Sequence, residues 1–174
     1  MHGTLFLIVG PSGAGKDTLI AAARAALGAR FVFPRRVITR PASAGGEDHE
    51  AVDDASFAAR EQADAFALAW RAHGLAYGIP ASIMVELQAG KHVVANVSRA
   101  VVAEARARFQ PTRVILVTAP AEVLRARLQA RGREADAAVD TRLERAVDVA
   151  ADCVIVNDGA PETAVQSFLA ALQG

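Results

Sequence analysis

The sequence predicts an α/β fold, a central parallel sheet with helices on both faces, and three observations carry that expectation. Short β-branched or apolar runs alternate with helical spacings along the 174 residues. A glycine-rich loop, Gly10-Pro11-Ser12-Gly13-Ala14-Gly15-Lys16-Asp17-Thr18, joins the first apolar run to the first helical stretch. With 52% hydrophobic side chains, the chain can bury one full core and still carry an inserted lobe.

Taken in order, the first strand is expected at 4–9, where Leu5 to Val9 run without a polar break. Leu19, Ile20, Ala23 and Leu27 then give the spacing of a helix opening near Lys16. Further strands are expected at 31–38, 91–97, 113–119 and 153–156. Pro80, Pro120 and Pro161 mark helix starts, where a missing N–H costs nothing, and Gly90 fits a helix C-cap. The last helix carries Val165, Phe168, Leu169 and Leu172 on one stripe. Residues 39–79 break the alternation with Gly45-Gly46, acidic residues and the pattern Phe66-Ala67-Leu68-Ala69-Trp70. They predict a small lobe over the sheet, where a second substrate would sit. No repeat, low-complexity tract or linker divides the chain, so 1–174 is expected to be one domain.

Composition excludes several function classes. A formal net charge of zero argues against non-specific binding to nucleic acid or a membrane surface. The lone Cys153 lies in an apolar run, which points to a buried structural thiol rather than a nucleophile and suits a reducing compartment. The N-terminal apolar run is too short for a signal-peptide core and no segment reaches the length of a membrane span. A soluble cytoplasmic protein acting on a small molecule is therefore expected, and monomer and homodimer are equally compatible with the sequence.

The glycine-rich loop is the strongest chemical signal. A strand delivers the chain to a turn where Gly10, Gly13 and Gly15 let backbone N–H groups face a polyphosphate without side chains in the way. The following helix adds the positive end of its dipole, and Lys16 can reach the β- and γ-phosphates. A turn that merely caps a helix would not need the strand, the glycines and the lysine together. Nucleoside triphosphate binding is expected, with residues Gly10 to Thr18 as the cradle. The loop has one anomaly. Asp17 stands where the usual pattern has a hydroxyl ligand for Mg²⁺, and Thr18 points about 100° away on a helix.

A second signal lies late in the chain, in Leu124-Arg125-Ala126-Arg127-Leu128-Gln129-Ala130-Arg131-Gly132-Arg133-Glu134, followed by Arg142. Arg125 and Arg127 read as a solvated helix face. Arg131-Gly132-Arg133 falls at a helix end beside a hinge-capable glycine and reads as a mobile lid, about 131–140. In phosphoryl transfer an inserted arginine can supply about 10³ to 10⁵ in rate. Lys16, Arg131, Arg133 and Arg142 are the expected catalytic residues.

Together, GPSGAGK, Thr39-Arg40 followed by Gly45-Gly46-Glu47, Gly74-Leu75-Ala76-Tyr77-Gly78, Arg131-Gly132-Arg133, Arg142-Leu143 and Val154-Ile155-Val156-Asn157-Asp158 resemble the guanylate kinase fold over essentially the whole chain. The resemblance implies a three-layer P-loop NTPase fold with an acceptor lobe and an arginine lid. It also exposes departures. A guanine-reading glutamate would fall on Leu68, a hydroxyl after Tyr-Gly is Ile79, and a second phosphate-gripping arginine is Ser43. A guanine edge without its carboxylate partner would be desolvated at a cost of kcal/mol.

The departures match a neighbouring family. GPSGAGKD, ITRPASAGGEDHE, LAWRAHGLAYGI, Asn96-Val97-Ser98-Arg99 and RGRE resemble the ribose 1,5-bisphosphate phosphokinases of bacterial phosphonate degradation. These transfer the γ-phosphoryl of ATP to ribose 1,5-bisphosphate, a substrate without a base. The alternatives are a guanylate or other nucleoside monophosphate kinase, another small-molecule P-loop kinase, or a nucleotide-binding module that has lost catalysis. The resemblance places Arg40, Tyr77 and Arg99 near the acceptor, with Arg71 and His49 in the same lobe as further candidates, and Asn157 at the nucleotide. His73 is a weaker candidate, and Glu47 and Asp48 are expected to stabilise the loop. Where guanylate kinases carry aspartates at the end of the central strand, this chain has Asn96 and Ser98. Mg²⁺ prefers carboxylate and water oxygens, so Asp17 is expected to hold the metal in their stead. The competing role for Asp17 is to favour the helix start.

Overall fold

The computed structural model describes residues 2–44, 47–130 and 150–174. Nine strands form two sheets among these residues. The larger sheet is wholly parallel, from β1 (Leu5–Val9), β2 (Phe31–Val32), β7 (His92–Asn96), β8 (Thr112–Thr118) and β9 (Cys153–Val156), in the order β2-β7-β1-β8-β9. Six α-helices accompany them: α1 (Lys16–Ala26), α2 (Asp54–Gln62), α3 (Ile83–Gln88), α4 (Val102–Arg108), α5 (Ala121–Ala130) and α6 (Pro161–Gln173).

Strand β1 shows why the larger sheet is covered on both sides. Its residues alternate between faces: Leu5, Leu7 and Val9 pack into one core, Phe6 and Ile8 into the other, and all are buried. The first core adds Ile83 and Leu87 of α3 and Val102 and Ala105 of α4. The second adds Leu19 and Ala23 of α1, Leu124 of α5, and Ala164, Phe168 and Leu172 of α6. This is the three-layer α/β arrangement that the continuous apolar runs predict. Because β7 and β8 flank β1 on opposite sides, the loop after β1 opens at a topological switch point, where α/β sheets bind ligands.

The smaller sheet has the order β4-β3-β6-β5, from β3 (Val37–Ile38), β4 (Glu50–Ala51), β5 (Phe66–Ala72) and β6 (Leu75–Pro80). Strands β5 and β6 form an antiparallel hairpin closed by His73 and Gly74, both at positive φ (54° and 73°), the twist that matches a two-residue turn to its strands. Leu68, Trp70 and Ile79 of this hairpin enter the first core, which docks the smaller sheet on the larger one. Helix α2 closes the outer side, with Phe57 stacked on Phe66 at 4.7 Å. Asp53 caps α2, its carboxylate accepting from Ser56 N at 2.6 Å, which holds that carboxyl below the ordinary value.

Two expectations need correction, and one element was not foreseen. The strand expected at 31–38 is two strands in different sheets, because Pro34 interrupts any ladder and the chain crosses from one sheet to the other there. Pro80 does not open a helix. It ends β6 opposite Phe66, and α3 begins at Ile83. The acidic stretch around residue 54 folds as α2, an element the apolar spacing did not signal. Pro161 does stand in the first turn of α6, Pro120 accepts the first bond of α5 from Leu124 N (3.0 Å), and Gly90 follows α3 at φ 80°.

His92 gives the fold a pH dependence. Its Nδ1 accepts from Thr4 N at 3.1 Å and its ring packs against Phe31 at 5.0 Å. Burial, and secondarily the nearby Arg30, holds its pKa below the ordinary histidine value of about 6.5. The unfolded chain then binds the proton more readily. The stabilisation is complete above pH about 6.5 and is lost as pH falls from there through the folded value. His92→Phe keeps the ring packing and removes the titration, so its melting temperature falls less than that of the parent chain between pH 7 and 5.5. Parallel melting curves across that range would contradict this.

Candidate active site

The glycine-rich loop is pressed tightly into the sheet's C-terminal edge. At Gly10 (φ 146°) a Cβ would stand 1.9 Å from the Val117 carbonyl oxygen of β8. At Gly15, the left-handed residue preceding α1 (φ 92°), a Cβ would meet Asn157 Nδ2 at 2.5 Å. At Gly10 the fixed backbone of β8 leaves no room for a side chain, and at Gly15 the left-handed backbone together with the Asn157 amide favours glycine. No side chain caps α1, so its first-turn N–H groups are left to an anion. Pro11, Gly13 and Ala14 are buried, Ser12 is half-buried and Thr18 is exposed.

Lys16 curls back across the loop, its Nζ donating to the carbonyl oxygens of Gly10 (2.7 Å) and Pro11 (2.9 Å). The ammonium is therefore held on the backbone of the loop itself. Asp17, on the first turn of α1, accepts from Asn96 Nδ2 at 2.9 Å. The structure thus brings together the two positions at which the sequence exchanges charge: an aspartate on the loop helix and an amide at the end of β7. Among the described residues no group of three or more His, Cys, Asp or Glu side chains could hold a metal ion.

The loop is bolted to its neighbours by two side chains. Asn157 donates from Nδ2 to the Ala14 carbonyl oxygen (2.8 Å) and from its backbone N to Thr118 O (2.7 Å). Arg127 of α5 donates to the carbonyl oxygens of Gly13 (3.2 Å) and Asn157 (2.9 Å). The sequence reading of Arg127 as a solvated helix face needs correction. Its spacing from the buried Leu124 was the available signal, because i and i+3 share a face, whereas Arg125 is exposed. Arg131, Arg133 and Arg142 lie outside the described residues, the last described residue before them being Ala130 of α5.

The acceptor candidates separate into two groups. Tyr77 and Trp70 are directly opposed on β6 and β5, their rings parallel within 2° and 5.3 Å apart. Arg36 reaches across both rings, forks onto Glu47 and donates to Asn96 O at 3.3 Å. Arg40 follows β3, half-buried, and lies 3.4 Å from His49 Nδ1. His49 is buried, with Nε2 2.9 Å from Arg40 O and Nδ1 3.1 Å from Glu47 O, so its ring shapes the loop between them. Arg99 stands half-buried on the 3-10 turn after β7, whose start Ser98 Oγ caps. Arg71 belongs elsewhere. It projects from the opposite face of β5 to Trp70, lies over Phe57, and forks onto Glu61 with bonds of 2.7 and 2.6 Å, which hold the Glu61 carboxyl below its ordinary value. His73 is exposed at the hairpin turn. Asp48 pairs with Arg35 at 2.7 Å, so both acidic residues of the loop tie it down as expected.

The geometry is a phosphate cradle facing a lobe rich in cations and aromatic rings. A family model described as an AAA domain matches residues 5–152. Over 173 residues, 98% of this chain and 92% of the relative, the sequence is 55% identical to a ribose 1,5-bisphosphate phosphokinase of Acidiphilium cryptum. The chain belongs to the ribose 1,5-bisphosphate phosphokinase family. A bifunctional ribose 1,5-bisphosphokinase-thymidine phosphorylase of Cupriavidus necator is 50% identical over 98% of this chain, which spans 29% of that longer protein. A guanylate kinase of Anaplasma phagocytophilum superposes with a TM-score of 0.73 at 22% identity, covering 99% of this chain and 85% of that one. That likeness establishes the guanylate kinase-like fold. Membership of the phosphokinase family accounts for the loop and its lysine together, and among the described residues no helix is long and apolar enough to cross a membrane.

Proposed function

We propose that this protein transfers the γ-phosphoryl group of ATP to ribose 1,5-bisphosphate, forming 5-phosphoribosyl 1-diphosphate and ADP in phosphonate catabolism. The observation that carries the choice of acceptor is the pair Leu68 and Ile79. They are opposed in the β5/β6 ladder and 1% and 0% exposed, inside the first core. These are the positions at which a guanylate kinase would read a guanine edge. Two core hydrocarbons offer that edge no partner, whereas a base-free acceptor needs none.

The chemistry follows from the charges. An oxygen of the acceptor's 1-phosphate attacks the γ-phosphorus, the bond to the β-phosphate oxygen breaks, and ADP leaves with that oxygen. The attacking phosphate is already ionised, so no general base is required. Catalysis then rests on placement and on cations. The loop N–H groups and Lys16 hold the β- and γ-phosphates, Arg40, Tyr77 and Arg99 orient the acceptor, and Arg131, Arg133 and Arg142 close on the transferring group. Phosphorus NMR of the products tests this assignment. New coupled diphosphate resonances at C1 of the sugar support it, and unchanged sugar phosphate resonances with ATP intact oppose it.

Asp17 is proposed to hold Mg²⁺. One carboxylate, phosphate oxygens and retained waters make up the donor set this ion favours, and Asn96 Nδ2 steadies the carboxylate. When bound, the ion would neutralise charge on the β- and γ-phosphates. Asp17→Ala is expected to raise the Mg²⁺ concentration giving half-maximal rate, and Asp17→Ser to recover activity only in part. A role confined to the helix start would instead cost about 1 kcal/mol of stability and leave the Mg²⁺ curve in place. Rate against Mg²⁺, measured beside thermal unfolding, separates these outcomes.

A further inference from the structure

We infer that Arg36 determines acceptor specificity by occupying the aromatic surface on which a nucleobase would otherwise stack. The guanidinium carbon lies 5.3 Å from the Tyr77 ring centroid and 6.0 Å from that of Trp70. The parallel rings of Trp70, buried, and Tyr77, half-buried, would offer any planar base a stacking surface if they were uncovered. Here that surface is already taken by a cation, in the geometry rings favour.

Arg36 is also fixed in place. Its Nε donates to both Glu47 carboxylate oxygens, at 2.8 and 3.1 Å, and Nη2 completes the fork. Nη1 donates to Asn96 O at 3.3 Å, and Asn96 in turn holds Asp17 beside the phosphate cradle. The two side chains of the ion pair are each only 15% exposed. A base entering here must separate a largely desolvated pair and leave one charge unpaired, which is the costly way to break such a pair. A sugar phosphate has no flat face and gains nothing from the rings, so it incurs no such penalty. Specificity is thereby built from a repulsive element as well as from missing contacts. Leu68 and Ile79, two positions along the strands from Trp70 and Tyr77, withhold hydrogen bonds, and Arg36 withholds the stacking surface.

This inference rests on the reading of the lobe as the acceptor site, and the experiment keeps the two apart. The variant Arg36→Ala/Glu47→Ala removes both charges and leaves neither orphaned. Binding of GMP and of ribose 5-phosphate is measured by calorimetry with the donor loop saturated with ADP. The expected result is GMP binding about tenfold or more tighter than in the parent protein, with ribose 5-phosphate affinity unimproved, so that the gain belongs to the base. Unchanged GMP affinity in the folded variant overturns the inference. If the double variant does not fold, Arg36→Lys keeps a charge toward Glu47 while removing the planar group; it should show a smaller gain in the same direction, and no gain overturns the inference. Failure of the parent protein to phosphorylate ribose 1,5-bisphosphate would count against the proposed function alone, because the binding comparison does not depend on turnover.

Discussion

Lys16→Ala is expected to lower kcat by about a hundred- to a thousandfold, the loss that follows deletion of one preorganised electrostatic group at a developing charge. The lysine has no substitute in the loop, since the neighbouring Asp17 is acidic and Thr18 is exposed on the helix. Its two bonds to Gly10 and Pro11 carbonyl oxygens also steady the loop, so a modest fall in melting temperature should accompany the loss. Circular dichroism separates the two effects: a folded variant with parental kcat would remove Lys16 from the phosphate site.

Alanine at Arg131 is expected to cost more, about 10³ to 10⁵ in kcat if this residue is the arginine that stabilises the transferring group. The supporting observation is the seat of the helix before it. Arg127 anchors α5, the helix that precedes Arg131 in the chain, on the Gly13 and Asn157 carbonyl oxygens of the cradle. A residue acting on the transition state lowers kcat and kcat/KM together while ATP binding without acceptor changes little. An unchanged kcat with a raised KM for ATP would instead make Arg131 a ground-state binding residue. Arg133 and Arg142 should behave in the same way with smaller losses.

The parts of this molecule that were legible in its sequence are those governed by local rules. Runs such as Leu5 to Val9 are continuous because parallel strands are buried on both faces, so β1, β7, β8 and β9 fall within a residue of their expected limits. The cradle was legible because glycine, lysine and helix start must stand in a fixed order around a polyphosphate. What escaped depends on contacts between distant residues. The split of 31–38 follows from the transfer of the chain to a second sheet, which no periodicity reports. Arg36 finds Glu47 eleven positions on and Asn96 sixty positions on, and Arg127 finds Gly13 across 114. In the sequence each is one arginine among many. His49 reads as a candidate for acceptor contact, yet its ring is buried within the loop, with Nε2 beside the Arg40 carbonyl and Nδ1 beside that of Glu47. The sequence links Asp17 to the carboxylate missing at Asn96 by chemistry alone; only the fold shows them 2.9 Å apart.

The central claim concerns which acceptor the lobe takes, and a single panel decides it. Purified protein is supplied with ATP and Mg²⁺ and, in parallel, with ribose 1,5-bisphosphate, GMP or gluconate, and the products are identified by mass. With Leu68 and Ile79 sealed in the core, the predicted result is conversion of the sugar bisphosphate to 5-phosphoribosyl 1-diphosphate with GMP and gluconate left nearly untouched. Efficient phosphorylation of GMP without turnover of ribose 1,5-bisphosphate would contradict the account.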